Sequence, residues 1–263
     1  MKPASIFSFV QAPAPRLLMR LALVPELLDL VRRAPHRILE IGPGLGDLGI
    51  YLAHRFPAAQ TVMMDLSEQG ADRLRERAAA VPGMSVQTGD FRALPAAPQY
   101  DLVVACEVFE HIEDDASAFA SVHRLLADGG YFLFSVPAFM ANWGPADVYA
   151  GHFRRYERAP MLAQFAQHGF TVERTLCYGF PLTQMLWLAY QLYYGRLVKR
   201  APLAMQEATK RSGTERSLVS RFRTLPVAAL MRPLLLCQQL VKARNIGDGY
   251  LVLARKMDPA ANG

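Results

Sequence analysis

Cysteine is scarce in this 263-residue chain: Cys106, Cys177 and Cys237 stand far apart, with no C-x-x-C pair and no metal-ligand spacing to histidine. That argues against a disulfide framework, fits a reducing, cytoplasmic setting and leaves no metal site to be expected. Long uninterrupted apolar runs are missing too. Over residues 1–24, Pro13, Pro15, Arg16 and Arg20 break up the apolar stretches, so neither a secretion signal nor a membrane span is readable there. Internal repeats and low-complexity tracts are also absent.

What the chain has in quantity is apolar residues, 52% of the total, enough to fill the core of one large α/β domain with elaborations or of two small ones. Its formal charge of +6 is unevenly placed. Residues 196–244 hold eleven lysines and arginines against Glu207 and Glu215, a surplus of nine, so the rest of the chain is acidic by three. The basicity resides in one segment.

Leucines at 17, 18, 21, 27, 28 and 30 have helical spacing broken by Pro25, which predicts a leading helix pair. From residue 37 onward, short apolar runs alternate with longer helical stretches, the pattern of repeated βα units and a mostly parallel sheet. Strands are predicted near 37–41, 60–64, 84–88, 100–105, 131–136, 170–177 and 249–255, and helices near 46–55, 67–80, 115–127 and 159–168. Between the sixth and seventh strands lie about 70 residues, too many for a plain loop. Their apolar runs predict helices near 181–199 and 226–243. The expected fold is therefore α/β: a seven-stranded, mostly parallel Rossmann-like sheet with helices on both faces. Residues 1–179 and 247–263 make the main domain, and 180–246 a basic, apolar helical insert.

The first strand, Arg37 to Ile41, runs into Gly42-Pro43-Gly44-Leu45-Gly46-Asp47 and then a helix. Such a turn needs residues without Cβ, both for positive φ and for close approach of a ligand to the backbone. Gly44, Gly46 and Gly49 also spell G-x-G-x-x-G, which keeps a dinucleotide in view. The stretch ILEIGPGLG, with Glu40 two residues ahead of Gly42, resembles motif I of the class I S-adenosylmethionine methyltransferases, hh(D/E)hGxGxG. So do Gly89-Asp90-Phe91 after the third strand, YDLVVACEVFEHI at 100–112 and LLADGGYFLFSVP at 125–137. Together these cover roughly residues 37–137 in the family's order.

The resemblance implies S-adenosyl-L-methionine as cofactor, with Glu40, Gly42, Gly44 and Gly46 toward its methionine end. Asp65, 19 residues after Gly46, would accept from the ribose hydroxyls, although a helix-capping role ahead of Ser67 is the alternative. Leu66 would lie on the adenine, Asp90 would accept from its amino group and Phe91 would flank it. Cys106 and Glu107, where the fourth strand leaves the sheet, complete the cofactor set.

Methyl transfer from a sulfonium is an in-line displacement, so a base is needed only if the acceptor carries a proton. His111, in the family's EH(I/V) element, and His152, in Gly151-His152-Phe153-Arg154-Arg155-Tyr156, are the candidate bases or acceptor contacts. The two arginines beside His152 are expected to favour its neutral form. Arg154 and Tyr156 either contact the acceptor or tie this loop to the domain. Phe139, Trp143 and Tyr149 either wall an acceptor pocket or cover the end of the sheet.

The aromatic run Phe180 to Tyr194 beside the basic segment suits a lid, or a peripheral contact with anionic membrane on its cytoplasmic side. These features favour methyl transfer, chiefly to oxygen, onto a small apolar or lipid-like acceptor. An RNA or other macromolecular acceptor and a cofactor-binding module without catalysis remain the alternatives. Nucleic acid is disfavoured, because the fourth strand continues as Cys-Glu-Val-Phe-Glu-His where many amino-methylating DNA enzymes carry (D/N/S)PP(Y/F).

Overall fold

The computed structural model describes residues 5–200 and 230–257. Two short helices lead the chain, α1 (Pro15–Leu21) and α2 (Val24–Leu28). Pro25 lies in the first turn of α2, where a missing N–H costs nothing, so it starts a helix rather than merely breaking one. The alternation then follows as β1 (Arg37–Ile41), α3 (Asp47–Arg55), β2 (Gln60–Asp65), α4 (Glu68–Ala78), β3 (Met84–Thr88), β4 (Tyr100–Cys106), α5 (Asp115–Leu125) and β5 (Leu126–Pro137). After it come α6 (Pro145–Ala150), α7 (Arg158–Gln167), β6 (Phe170–Tyr178), α8 (Leu182–Arg200), α9 (Arg232–Val241) and β7 (Gly249–Lys256).

The seven strands form one sheet in the order β3-β2-β1-β4-β5-β7-β6. All neighbours are parallel except β7, which runs antiparallel to both β5 and β6. Two-residue periodicity sends alternate side chains to opposite faces. Leu39, Val103, Phe132 and Phe134 meet Phe119 and Phe165 of α5 and α7 on one face. Ile38, Leu102, Val104 and Leu133 meet Leu27 and Leu52 of α2 and α3 on the other. Strands buried on both sides have to be near-continuous apolar runs, as these are.

Strand order reverses between β1 and β4, and in doubly wound sheets ligands bind beyond the strand ends at that point. The helices after β6 lie close to the same end. Leu182 and Leu186 of α8, with Met231, Leu234 and Leu235, pack on Leu18 and Met19 of α1. Gln238 is fully buried there, donating to the Met19 carbonyl and accepting from the Gly179 amide, each at 2.8 Å. Among the cations of the insert, Lys210, Arg211, Arg216, Arg221 and Arg223 fall outside the described residues.

Candidate functional site

The turn after β1 has Gly42, Gly44 and Gly46 at φ of 61°, 59° and 74°, the left-handed region that other residues rarely adopt. A Cβ on Gly42 would stand 2.6 Å from Val108 and one on Gly46 2.8 Å from Leu74, so the turn is closed to larger residues on both counts. Beside it Glu40 is only 3% exposed, and its Oε2 has no hydrogen-bond partner among the described residues. Burial, with Asp47 adding repulsion, pushes its carboxyl up to about 8 against the pull of Arg20. A Cβ on Gly49 would fall 2.3 Å from Oε2, so that glycine makes room for the acid.

At the end of β2, Asp65 accepts from the Ser67 amide at 2.8 Å. Ser67, not Asp65, caps α4 by accepting from Gly70. The neighbouring Leu66 is 60% exposed, a bare apolar side chain suited to a flat ring. Asp90 is gripped by the guanidinium of Arg92, which sequence reasoning did not single out, and by its amide. Those hydrogen bonds hold the Asp90 carboxyl below its usual range. The Phe91 ring is buried in the core, its centroid 6.4 Å from that of Phe109.

Where β4 ends, Glu107 is held at φ 61°. Its carboxylate is engaged by Arg16, by Tyr178 OH at 2.6 Å and by Ser135 Oγ at 3.2 Å, with Arg20 at 3.8 Å. Burial alone would raise its pKa, but Arg16 and Arg20 outweigh burial and hold it at about 2. The cofactor contact expected of Glu107 therefore meets a side chain that already has its partners. Burial also raises the Cys106 thiol to about 11, so it stays neutral.

Arg16 and Arg20 were missed by sequence reasoning. Their signal was their spacing, four residues apart on one face of α1 amid leucines. Arg16 Nη2 and Arg20 Nε are buried without a hydrogen-bond partner among the described residues. Unused donors beside a glycine turn and an unused acceptor on Glu40 are what the carboxylate and ammonium of a methionine moiety require. With Asp65 and Leu66 alongside, the residues present fit S-adenosylmethionine.

The two predicted histidines are brought together, with ring centroids 4.8 Å apart and edge to face. His111 Nδ1 donates to the Gly151 carbonyl at 3.2 Å, and burial, with His152 next, lowers its pKa to about 4. His152 Nδ1 donates to Asp147 Oδ1 at 2.9 Å, so its closest ionic neighbour is a carboxylate and not either arginine. His152 Nε2 lies 3.9 Å from Glu110 Oε1. Glu110 is fully buried, and neither of its carboxyl oxygens has a hydrogen-bond partner among the described residues. Among the described residues, the ligand atoms of Glu110, His111 and His152 are the ones that lie close enough together to hold a cation.

Arg155 ties this half to the other, donating to Asp147 at 2.8 Å and to Asp248 at 2.9 Å, while Arg16 reaches the second oxygen of Asp248 at 2.7 Å. Arg154 and Tyr156 make the contacts of the loop-tying alternative. Tyr156 is buried and donates to Asp115 at 2.8 Å, and Arg154 pairs with the same carboxylate and with the Glu113 carbonyl, which ties the loop to α5.

Phe139 sits at φ 64° with its ring 5.6 Å from Tyr250, Trp143 is half-buried, and Tyr149 meets Tyr194 of α8 at 5.1 Å. Beside them a cleft of about 400 Å³ is lined by Ala141, Asn142, Thr183, Gln184, Trp187 and Asp248.

Residues 8–175 match the family described as a methyltransferase domain. A malonyl-[acyl-carrier protein] O-methyltransferase of Geobacter sulfurreducens is 35% identical over 103 residues, 39% of this chain and 39% of that protein. One from Methylococcus capsulatus is 30% identical over 158 residues, 56% of this chain and 58% of its own. The chain thus spans less than two thirds of the length of these relatives. The geranyl diphosphate C-methyltransferase of Streptomyces coelicolor superposes with a TM-score of 0.55 at 15% identity, covering 90% of this chain and 85% of that one, which is likeness of fold. Since the match to the family spans more than half of the chain, and the fold agrees, this protein belongs to the methyltransferase-domain family, the class I type that uses S-adenosylmethionine.

Proposed function

We propose that the protein transfers the methyl group of S-adenosylmethionine to an oxygen of a small acceptor that carries an apolar or acyl portion. The observation that carries this reading is the pairing of two sets of unused polar groups around the β1/β4 crossing. Glu40 and Arg16 suit the cofactor, and the unpartnered Glu110 carboxyl with His152 Nε2 3.9 Å from it suits the acceptor. The donor supplies an electrophilic methyl on a sulfonium. The acceptor oxygen forms the new C–O bond as the C–S bond breaks, sulfur keeps the electron pair, and the hydroxyl proton leaves.

In this reading His152 takes that proton. Asp147 fixes its Nδ1–H and so leaves the lone pair on Nε2, the arrangement of an oriented base. His111, whose pKa burial and then His152 lower to about 4, is neutral at pH 7 and a weak proton acceptor. The named relatives methylate an acyl-carrier-bound malonyl group, and Trp187 and Ala141 give the otherwise polar cleft one apolar wall for an acyl portion.

A second feature favours a membrane-borne or amphiphilic acceptor. Met185, Leu188 and Leu192 on α8 and Leu236 and Leu240 on α9 are all largely exposed, more apolar surface than a solvated pair of helices needs. Among the described residues no helix is long and apolar enough to cross a membrane, so the contact would be peripheral. The test is incubation of the protein and labelled S-adenosylmethionine with an extract of cells lacking it. Label in the organic phase supports the reading, and label confined to RNA or protein overturns the small-acceptor assignment.

A further inference from the structure

We propose that Glu110, His111 and His152 form a site for one divalent transition-metal cation, whose open positions take the acceptor oxygen. The ligand atoms of the three residues lie within 4.8 Å of one another. Ligands bound at about 2.1 Å to one ion stand roughly 3.0–3.5 Å apart, so small side-chain rotations bring all three onto it.

Three further observations point the same way. Glu110 is wholly buried with neither oxygen hydrogen-bonded among the described residues, a costly state that bound cation would relieve. His152 Nδ1–H is fixed by Asp147 and His111 Nδ1–H by the Gly151 carbonyl. In both rings the lone pair is therefore on Nε2, the tautomer and orientation that outer carboxylates and carbonyls impose on metal-binding histidines. Asp147 is itself held by Arg155 and by the Gly144 amide at 2.9 Å, so the outer support is built in.

One carboxylate and two imidazoles suit zinc, cobalt, manganese or iron(II) better than magnesium or calcium, which favour oxygen. Three protein ligands leave coordination positions open. With the ion in place His152 faces the cation, the acceptor hydroxyl gives its proton to water, and the bound oxygen attacks the methyl as the C–S bond breaks. This role in turnover rests on the methyltransferase reading, whereas the binding of the ion does not. The site was invisible in the sequence because no cysteine takes part and His152 comes 41 positions after His111.

The test strips the full-length protein with a chelator and titrates it with cobalt(II), read by visible absorption, with zinc as competitor. Expected are one cobalt per chain, displaced by zinc, and binding weakened beyond the about 10–100-fold typical of outer-shell changes in Glu110→Gln and His152→Gln. Asp147→Asn should fall within that about 10–100-fold range. Metal-free Glu110→Gln should melt no lower than the wild type, which a merely structural acid would not allow. Failure of the wild type to take up cobalt, or undiminished uptake by both ligand variants, overturns the site. Calorimetry with S-adenosylhomocysteine separates the two readings: cobalt uptake without cofactor binding sinks the methyltransferase and leaves the metal site, and the reverse sinks the metal site alone.

Discussion

The two halves of the site hold their charges by different means. Around the glycine turn, partners are near in sequence: Asp65 takes the amide of Ser67, Asp90 takes Arg92, and Glu40 faces the first turn of the next helix. Toward the histidines, partners come from far away: Arg155 reaches Asp248 across 93 positions, and Arg16, which the two halves share, reaches the same carboxylate across 232. A half built from local contacts keeps its geometry when a distant element changes. A half built from a relay of buried ions shares every disturbance, because removing one member leaves the next without its counter-charge. The exposed, locally held acids of the cofactor half should therefore respond chiefly in binding, and the ion relay in turnover and stability together.

The largest effect should come from His152→Ala in the metal-free protein, where Nε2 is left to take the acceptor's proton: kcat should fall about 10²–10⁴-fold, the usual contribution of a positioned proton acceptor, with S-adenosylhomocysteine affinity unchanged. A loss in cofactor affinity equal to the loss in kcat would break the division between the halves. Arg16→Ala comes next. It strips Glu107 and Asp248 of a shared partner, and with Arg16 about a third exposed and Arg20 still near Glu107, about 2–3 kcal/mol of stability should go, below the buried-pair range. Chemical denaturation measures it. An unchanged midpoint would mean that the relay does not bind the first helix to the sheet. Asp65→Ala touches the cofactor half alone: cofactor binding should weaken by about 1.5–3 kcal/mol, as for hydrogen bonds to a charged group, with the midpoint of unfolding kept. Calorimetry decides it, and undiminished affinity removes Asp65 from the site.

This division also explains what the sequence revealed. Strand ends, the glycine turn and the acids at 40, 65 and 90 follow from short-range pattern, and the observed strands start and stop within a residue or two of those expected, apart from β5. That strand begins at Leu126, directly after α5, where two residues of helix were expected and no turn residue marks the change. Arg16 and Arg20 looked like breaks in an apolar run, although they are the cations that hold Glu107 ionised. Asp147 lies in a stretch read for its aromatics, and Asp248 in a glycine-rich approach to the last strand. Asp248 has no local partner that would advertise it, and the Asp147 partners nearby, the Gly144 amide and His152, carry no motif of their own. Glu110 was legible only as part of a widespread Glu-His pair, since burial without a partner cannot be seen in one dimension.

The smallest effect is a pH dependence confined to the cofactor half. Glu40 carries a pKa of about 8 in the free protein, from burial first and Asp47 second, with Arg20 and Arg77 opposing. At pH 7 it is therefore mostly protonated, and a cationic ammonium arriving at its unpartnered oxygen would favour the ionised form. Binding should release a proton below pH 8 and none well above it, so cofactor affinity should rise about ten-fold from pH 7 to pH 9, one pKa unit being about 1.4 kcal/mol. Stability of the free protein runs the other way. The folded pKa lies above the unfolded value, so the contribution of protonated Glu40 is complete below about pH 4.5 and is lost as pH rises through about 8. Glu40→Gln should remove both slopes, leaving affinity low at each pH and stability flat across the window. Calorimetry in two buffers of different ionisation enthalpy counts the proton directly. A count of zero at pH 7 in the wild type would place the cofactor's ammonium away from Glu40 and leave that buried acid to the fold alone.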